Sequence, residues 1–308
     1  MRITIAPPQA ICELGRRQNQ EDALFPSLGQ ATDADRLFLV CDGMGGHDHG
    51  EVASQTVAET IGRFLSDRLP ADAPLPDSLL TDAIAEAYNQ LDARDNPTDT
   101  KKMGTTLTLL CLHRGGATMA HIGDSRIYHL RPAEHRILYQ SRDHSLVMDL
   151  YLSGELTRDE MDTYEGKNII TRAMQSAQER RCRPDIVHTT NLQPGDYFLL
   201  CSDGVLETLS NDQLIRLLAA DATDEEKCQR LRQLTAGHAD NHSAYLIRIL
   251  SVEAEPSDAE APNDEATSRA NLINIVRAKE EEAAKDCPSQ ESTHKKDNWL
   301  HRLFHFLN

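Results

Sequence analysis

The sequence predicts an α+β protein with a β-rich core covered by helices. Three observations carry this. Apolar strand-like runs are joined by tight turns: TTLTLLCLH (105–113) and ATMAHIG (117–123) flank Arg114, Gly115 and Gly116. Such short links make antiparallel pairs and argue against a doubly wound parallel sheet. Two segments of helical periodicity, 49–69 and 77–94, lie between strand-like runs. Several apolar runs also end on a single acid followed by glycine, as in LVCDG and LLCSDG.

Taken in order, Glu21 and Asp22 stand in RRQNQEDALF, between polar residues and a strand. Residues 36–41 (RLFLVC) read as a strand that stops at Asp42. The first helix shows Val52, Ala53, Val57, Ile61, Phe64 and Leu65 at helical spacing; the second shows Leu79, Leu80, Ile84, Ala87, Tyr88 and Leu91. The polar segment 95–102 is a loop before the 105–123 hairpin, and RIYHLR (126–131) follows another tight turn. Residues 144–163 read as a helix, and 164–185 as irregular and basic. DYFLLCS (196–202) is a strand ending at Asp203, helices follow over 210–219 and 224–239, and HSAYLIRIL (242–250) is the final strand. From 252 the chain turns acidic and rich in Ala and Pro, the composition of a disordered linker. Residues 266–285 suit a helix, and NWLHRLFHFLN closes the chain with Trp299, Leu300, Leu303, Phe304 and Leu307 on one helical face. That face suits docking on the chain's own domain first, a partner helix second and a membrane surface last.

The chain has 308 residues, 32 of them basic and 49 acidic, for a formal charge of −17. This disfavours nucleic acid and anionic membrane surfaces and suits a site that collects cations. Seven scattered cysteines, with no C-x-x-C pair, read as reduced thiols. No apolar run nears the roughly 18 residues of a membrane span, and MRITIAPPQAI is too interrupted for a signal peptide. The expected compartment is the cytoplasm and the expected state a monomer.

Of six acids, Glu21, Asp22, Asp42, Asp124 (in IGDSR), Asp203 and Asp240 (in ADNHS), five border apolar strands rather than solvated charge runs. A lone Asp-Gly reads as a turn. Six acids at such places are different, because a sheet gathers its strand ends along one edge. Converging carboxylates repel and are costly to bury unpaired, and divalent cations resolve that. An all-oxygen set without a Cys/His cluster favours Mg²⁺ or Mn²⁺ over Zn²⁺. More than four acids suggest two or more ions. Gly43 lets a main-chain carbonyl approach a cation, and Gly45 and Gly46 let the chain turn away. Arg17 offers a fork to a phosphate, with Arg16 beside it as the alternative.

These segments resemble the metal-dependent Ser/Thr protein phosphatases of the type 2C (PPM) family in their bacterial form. RRQNQEDA, LVCDGMGGHDHGEVAS, GTTLTLL, AHIGDSRIYHLR, DHSLV, NIITRAM, DYFLLCSDGVLETLS and DNHSAYLIRI occur in the family's order across residues 12–250. The resemblance implies a four-layer αββα domain over 1–251, with a central β-sandwich, flanking helix pairs and a flap at about 145–185, followed by a linker and tail over 252–308. It implies that Asp22, Asp42, Asp203 and Asp240 hold two Mn²⁺ or Mg²⁺ ions together with the Gly43 carbonyl. Glu21 is then a water-mediated acid, Asp124 a ligand of a weaker third ion, and Arg17 the phosphate ligand. Glu207 stands where many members carry an Asp for the third ion. Met44 stands where eukaryotic members carry a His, as in many bacterial members, which leaves His47 and His49 as neighbours of secondary interest. The implied activity is hydrolysis of phosphoserine or phosphothreonine in proteins, opposing a Ser/Thr kinase. A phosphatase of non-protein phosphomonoesters and a catalytically dead scaffold are the rival readings. The Cys-x5-Arg loop of tyrosine phosphatases and the D-x-D-x-[TV] motif of aspartyl-phosphate enzymes are absent.

Overall fold

The computed structural model describes residues 1–45, 49–95, 101–161, 163–207 and 209–253. The elements are β1 (Arg2–Ile5), β2 (Gln9–Glu13), β3 (Asp22–Phe25), β4 (Leu37–Met44), α1 (His49–Arg68), α2 (Asp77–Arg94), β5 (Gly104–Thr105), β6 (Leu107–His113), β7 (Gly116–Ile122), β8 (Arg126–Arg131) and β9 (Arg136–Gln140). Then come α3 (Leu146–Leu152), α4 (Arg158–Met161), β10 (Met174–Gln175), β11 (Asp185–Thr189), β12 (Tyr197–Cys201), α5 (Asn211–Ala219), α6 (Asp224–Thr235) and β13 (His242–Glu253). One sheet runs β1-β13-β12-β8-β9, with β2 also on β13; the other runs β10-β5-β4-β6-β7-β11, with β3 on β4. Every pairing is antiparallel.

The alternation of side chains along each strand builds four layers. On β4, Phe38 and Val40 face the second sheet, where they meet Phe198, Leu200, Tyr245 and Ile247. Leu39 and Cys41 point the other way, against Val57 and Ile61 of α1 and Tyr88 and Leu91 of α2. On β12, Leu199 and Cys201 pack against Leu214, Leu218 and Leu231 of α5 and α6. Both faces of each central strand are therefore buried, which is why these strands read as unbroken apolar runs. The αββα sandwich expected from the sequence is the one found.

Some boundaries differ. The strand expected to stop before Asp42 runs through it to Met44. The single helix expected over 144–163 is two, α3 and α4. The chain turns between them at Gly154, whose φ of +78° is a left-handed conformation that glycine adopts freely. The helix expected to reach 239 ends at Thr235, and the last strand runs on to Glu253, where Arg2, Ile3 and Thr4 pair with Glu253, Val252 and Ser251. The expected linker, its helix and the apolar terminus lie outside the described residues. Among the described residues no helix is long and apolar enough to cross a membrane.

Candidate metal centre

Antiparallel pairing brings the predicted acids to one end of the sandwich. Asp22 opens β3 and Asp42 lies near the end of β4, and the two are direct cross-strand partners. Thr106 and Thr105 follow at the start of the neighbouring strands; the Thr106 N–H donates to the Asp42 carbonyl at 2.9 Å. Asp124 sits in the crossover after β7. Asp203 follows β12 in a single 3-10 turn, and Asp240 precedes β13, the neighbour of β12. Both sheets thus contribute acids.

Hydroxyls and amides hold the cluster. Ser202 Oγ donates to Asp22 Oδ2 at 2.8 Å and accepts the Ser243 N–H at 2.9 Å. Thr106 Oγ1 accepts the Asp42 N–H at 2.9 Å, while Thr105 Oγ1 donates to the Asp42 carbonyl at 2.8 Å. Asn241 joins the loop before β3 to the turn before β13, with Oδ1 accepting the Glu21 N–H at 2.8 Å. No role for Ser202, Thr105, Thr106 or Asn241 follows from the sequence, although each adjoins an acid or lies in a quoted segment.

The electrostatics are those of an uncompensated cluster. Burial, and then the charges of Asp203 and Asp240, push Asp22 up to about 7. Burial and Asp203 push Asp124 up to about 7. Asp42 is raised well above the carboxylate range by burial and by Asp22, Asp203, Asp124 and Asp240. Asp203 is raised by burial and by Asp240. Asp22 Oδ1 and Asp124 Oδ1 are buried without a hydrogen-bond partner. Orphaned carboxylate oxygens among acids that resist ionisation fit a hard divalent cation with oxygen ligands.

The remaining predicted residues lie around this core. Arg17 Nη2 donates to Asp240 Oδ2 at 2.6 Å, and this bond is the main cause of its raised pKa. Arg16 beside it is exposed. The Gly43 N–H donates to the Glu21 carbonyl at 3.0 Å. A Cβ on Gly43 would lie 2.1 Å from the Gly50 carbonyl oxygen, so close packing of α1 on β4 requires glycine there, a reason additional to cation approach. Glu21 Oε1 lies where a Cβ on Gly50 would sit, 2.8 Å away, so its carboxylate is at the N-terminus of α1, where the helix dipole favours negative charge. Glu207 is exposed and stands 3.9 Å from His238 Nδ1, at the rim of the cluster. Met44 ends β4, and His49 opens α1 near enough to Asp95 to help lower its pKa. Gly46 and His47 lie outside the described residues.

A second group, His121, His144 and Asp185, offers three ligand atoms within 4.8 Å of one another. Its protons do not suit a cation. His144 Nδ1 accepts the Gly123 N–H at 3.0 Å, so the ring proton belongs on Nε2, 3.2 Å from Asp185 Oδ2. That bond and Arg172 hold Asp185 below the usual carboxylate range. The group is a hydrogen-bonded tie between the Asp124 loop and the segment after α4. The segment's return also pairs beside the centre: Met174 and Gln175 of β10 face Thr105 and Gly104 of β5, which face Gly43 and Met44. A cleft lined by Phe25, Arg36, Arg63, Leu65 and Asp72 opens at the opposite end of β3 and β4. Its arginines are ion-paired, Arg36 with Asp72 and Arg63 with Glu59.

A two-sheet sandwich with helix pairs outside, and carboxylates from both sheets converging at one end, is the arrangement of a protein suited to divalent cations. The family model for protein phosphatase 2C matches residues 14–236, and the chain belongs to that family. It is 30% identical over 242 residues to protein phosphatase PhpP of Streptococcus pneumoniae, covering 78% of this chain and 96% of that protein. The crystal structure of the serine/threonine phosphatase PstP/Ppp of Mycobacterium tuberculosis superposes with a TM-score of 0.68 at 27% identity, over 80% of this chain and 100% of that one. The catalytic domain of serine/threonine protein phosphatase PstP in complex with two manganese ions superposes with a TM-score of 0.63 at 28% identity, over 81% of this chain and 100% of that one.

Proposed function

We propose that this chain hydrolyses phosphoserine and phosphothreonine in proteins, with two Mn²⁺ or Mg²⁺ ions held by Asp22, Asp42, Asp203, Asp240 and the Gly43 carbonyl. The observation that carries the reading is the direct pairing of Asp22 with Asp42 next to buried, partnerless carboxylate oxygens. Like charges placed opposite each other in a sheet destabilise it, and a cation removes the conflict. Asp124 and the rim acid Glu207 suit a weaker third ion, with Glu21 acting through water. Bound there, divalent cations supply positive charge for the phosphoryl oxygens and acidify water to a nucleophile near neutral pH.

The chain's own residues do the rest. The acids fix where the nucleophile stands relative to the phosphorus. Arg17 holds one N–H on Asp240 and keeps the remainder of its fork for the phosphoryl oxygens, stabilising the charge that develops in transfer. Met44 has no dissociable proton, so the leaving oxygen takes its proton from water or from another residue. The natural counterpart is a Ser/Thr kinase or the substrates of one. The deciding measurement is release of phosphate from a phosphothreonine peptide by the full chain after chelation, with and without added Mn²⁺. Turnover that appears only with the ion is expected. Full turnover in excess chelator would remove the metal mechanism, and turnover of small esters but no phosphopeptide would favour the non-protein substrate reading.

A further inference from the structure

We propose that Asn241 is the positioning residue for Arg17: its carboxamide clamps the loop 14–21 onto the turn that carries Asp240 and so sets where the guanidinium meets the phosphoryl group. The proposal rests on the phosphatase reading above and names a residue that the reading does not use.

Residues 14–19 are all exposed, so no core packing fixes their backbone. Asn241, by contrast, is only 3% exposed. Its Nδ2 donates to Leu14 O at 2.8 Å and to Asn19 O at 3.1 Å, and its Oδ1 accepts the Glu21 N–H at 2.8 Å. The three bonds bracket Arg17 on both sides. An amide of this length has two donors and one acceptor to give; Asp lacks the donors, Ser has one, and Gln is too long for the same geometry. The loop is also pressed on the same turn by its backbone. Gly15 has φ +61°, and a Cβ there would lie 2.1 Å from the Asp240 carbonyl oxygen. The turn in its own right is fixed by the Asn241 N–H, which donates to Asp240 Oδ1 at 2.8 Å, while Asp240 Oδ2 takes Arg17. Arg17 therefore reaches the centre from a backbone that one buried carboxamide holds on both sides. A long, half-exposed side chain gives up several rotors to hold one pose, and a loose base raises that cost.

The test is a double-mutant cycle in the full chain with p-nitrophenyl phosphate at saturating Mn²⁺: wild type, Asn241→Ala, Arg17→Ala and the pair. Asn241→Ala should lower kcat/KM by about thirty-fold, more through KM than kcat. In the Arg17→Ala background the same change should cost about two-fold or less, because the group it positions is gone. Hydrogen exchange gives a readout independent of turnover: the Glu21 amide should lose protection in Asn241→Ala and keep it in Asn241→Asp, which retains the acceptor but neither donor. If Asn241→Ala does not fold, Asn241→Asp and its Arg17→Ala double decide by the same criterion. Losses that multiply across the two sites, or an Asn241→Ala enzyme with wild-type kcat/KM, overturn the proposal. If the wild type turns over no phosphomonoester, the phosphatase reading has failed. The clamp is then judged on exchange alone, and an unchanged Glu21 amide in Asn241→Ala refutes it.

Discussion

Asp22 and Asp42 face each other across two hydrogen-bonded strands. Asp42→Asn and Asp203→Asn should each abolish turnover at saturating Mn²⁺ while raising the melting temperature of the metal-free protein, since each removes one of several repelling charges. Retained kcat in either variant would contradict the ligand assignment. The raised pKa values add a pH signature. Burial pushes Asp22 and Asp124 up to about 7 in the folded chain, against roughly 3.9 in an unfolded one. The native state thus binds these protons more tightly, so their contribution is complete below the unfolded value and is lost as pH rises through the folded one. Metal-free protein should melt higher at pH 5 than at pH 8, and Mn²⁺ should reverse the order; equal metal-free melts would count against the shifts. The acids were legible in the sequence because each follows or precedes an apolar strand. Ser202, Thr106 and Asn241 were not, because a hydroxyl or an amide acquires its role only when the fold brings in a partner far along the chain, as Ser202 does with Asp22.

At the scale of elements, helix and strand differ in how they announced themselves. Strands β4, β6, β7, β8 and β12 are buried on both faces, and their apolar runs give them away. β1, β2, β9, β10 and β11 lie at sheet edges, carry polar residues and are in part exposed, so their periodicity is weak. Helices α1 and α2 stand at the predicted places because a helix against a sheet keeps one apolar stripe. Gly62 in α1 makes a test that runs against propensity. Glycine inside a helix ordinarily costs about 1 kcal/mol relative to alanine. Here a Cβ would stand 2.5 Å from the Phe25 ring, so Gly62→Ala should destabilise by about 1–3 kcal/mol in denaturant titration. A stabilised variant would mean that α1 can lift from β3 without loss.

For the whole molecule, the acidic composition agrees with a chain that gathers cations. The end of the last strand needed the structure: β13 continues three residues beyond the expected Leu250 and uses them to pair with β1. Truncation after Glu253 should leave the melting curve and small-ester turnover unchanged, whereas truncation after Leu250 should lower the melt by removing three of the four residue pairs that anchor the N-terminal strand. Equal melts for the two would show that this edge contributes nothing. If the terminal apolar segment recruits substrates, the longer truncation product should lose turnover of a phosphoprotein more than of a small ester, through lower effective concentration.

The origin of the acids in both sheets has one more consequence. With Asp22 and Asp42 on one jaw and Asp203 and Asp240 on the other, the centre works as a caliper on the gap between them. A spacer elsewhere in that gap, such as the Phe38 ring set edge-on to Tyr245 with centroids 5.3 Å apart, gauges the opening as surely as any ligand does. Shaving or thickening it would shift the acids of one sheet against those of the other with every carboxylate still present.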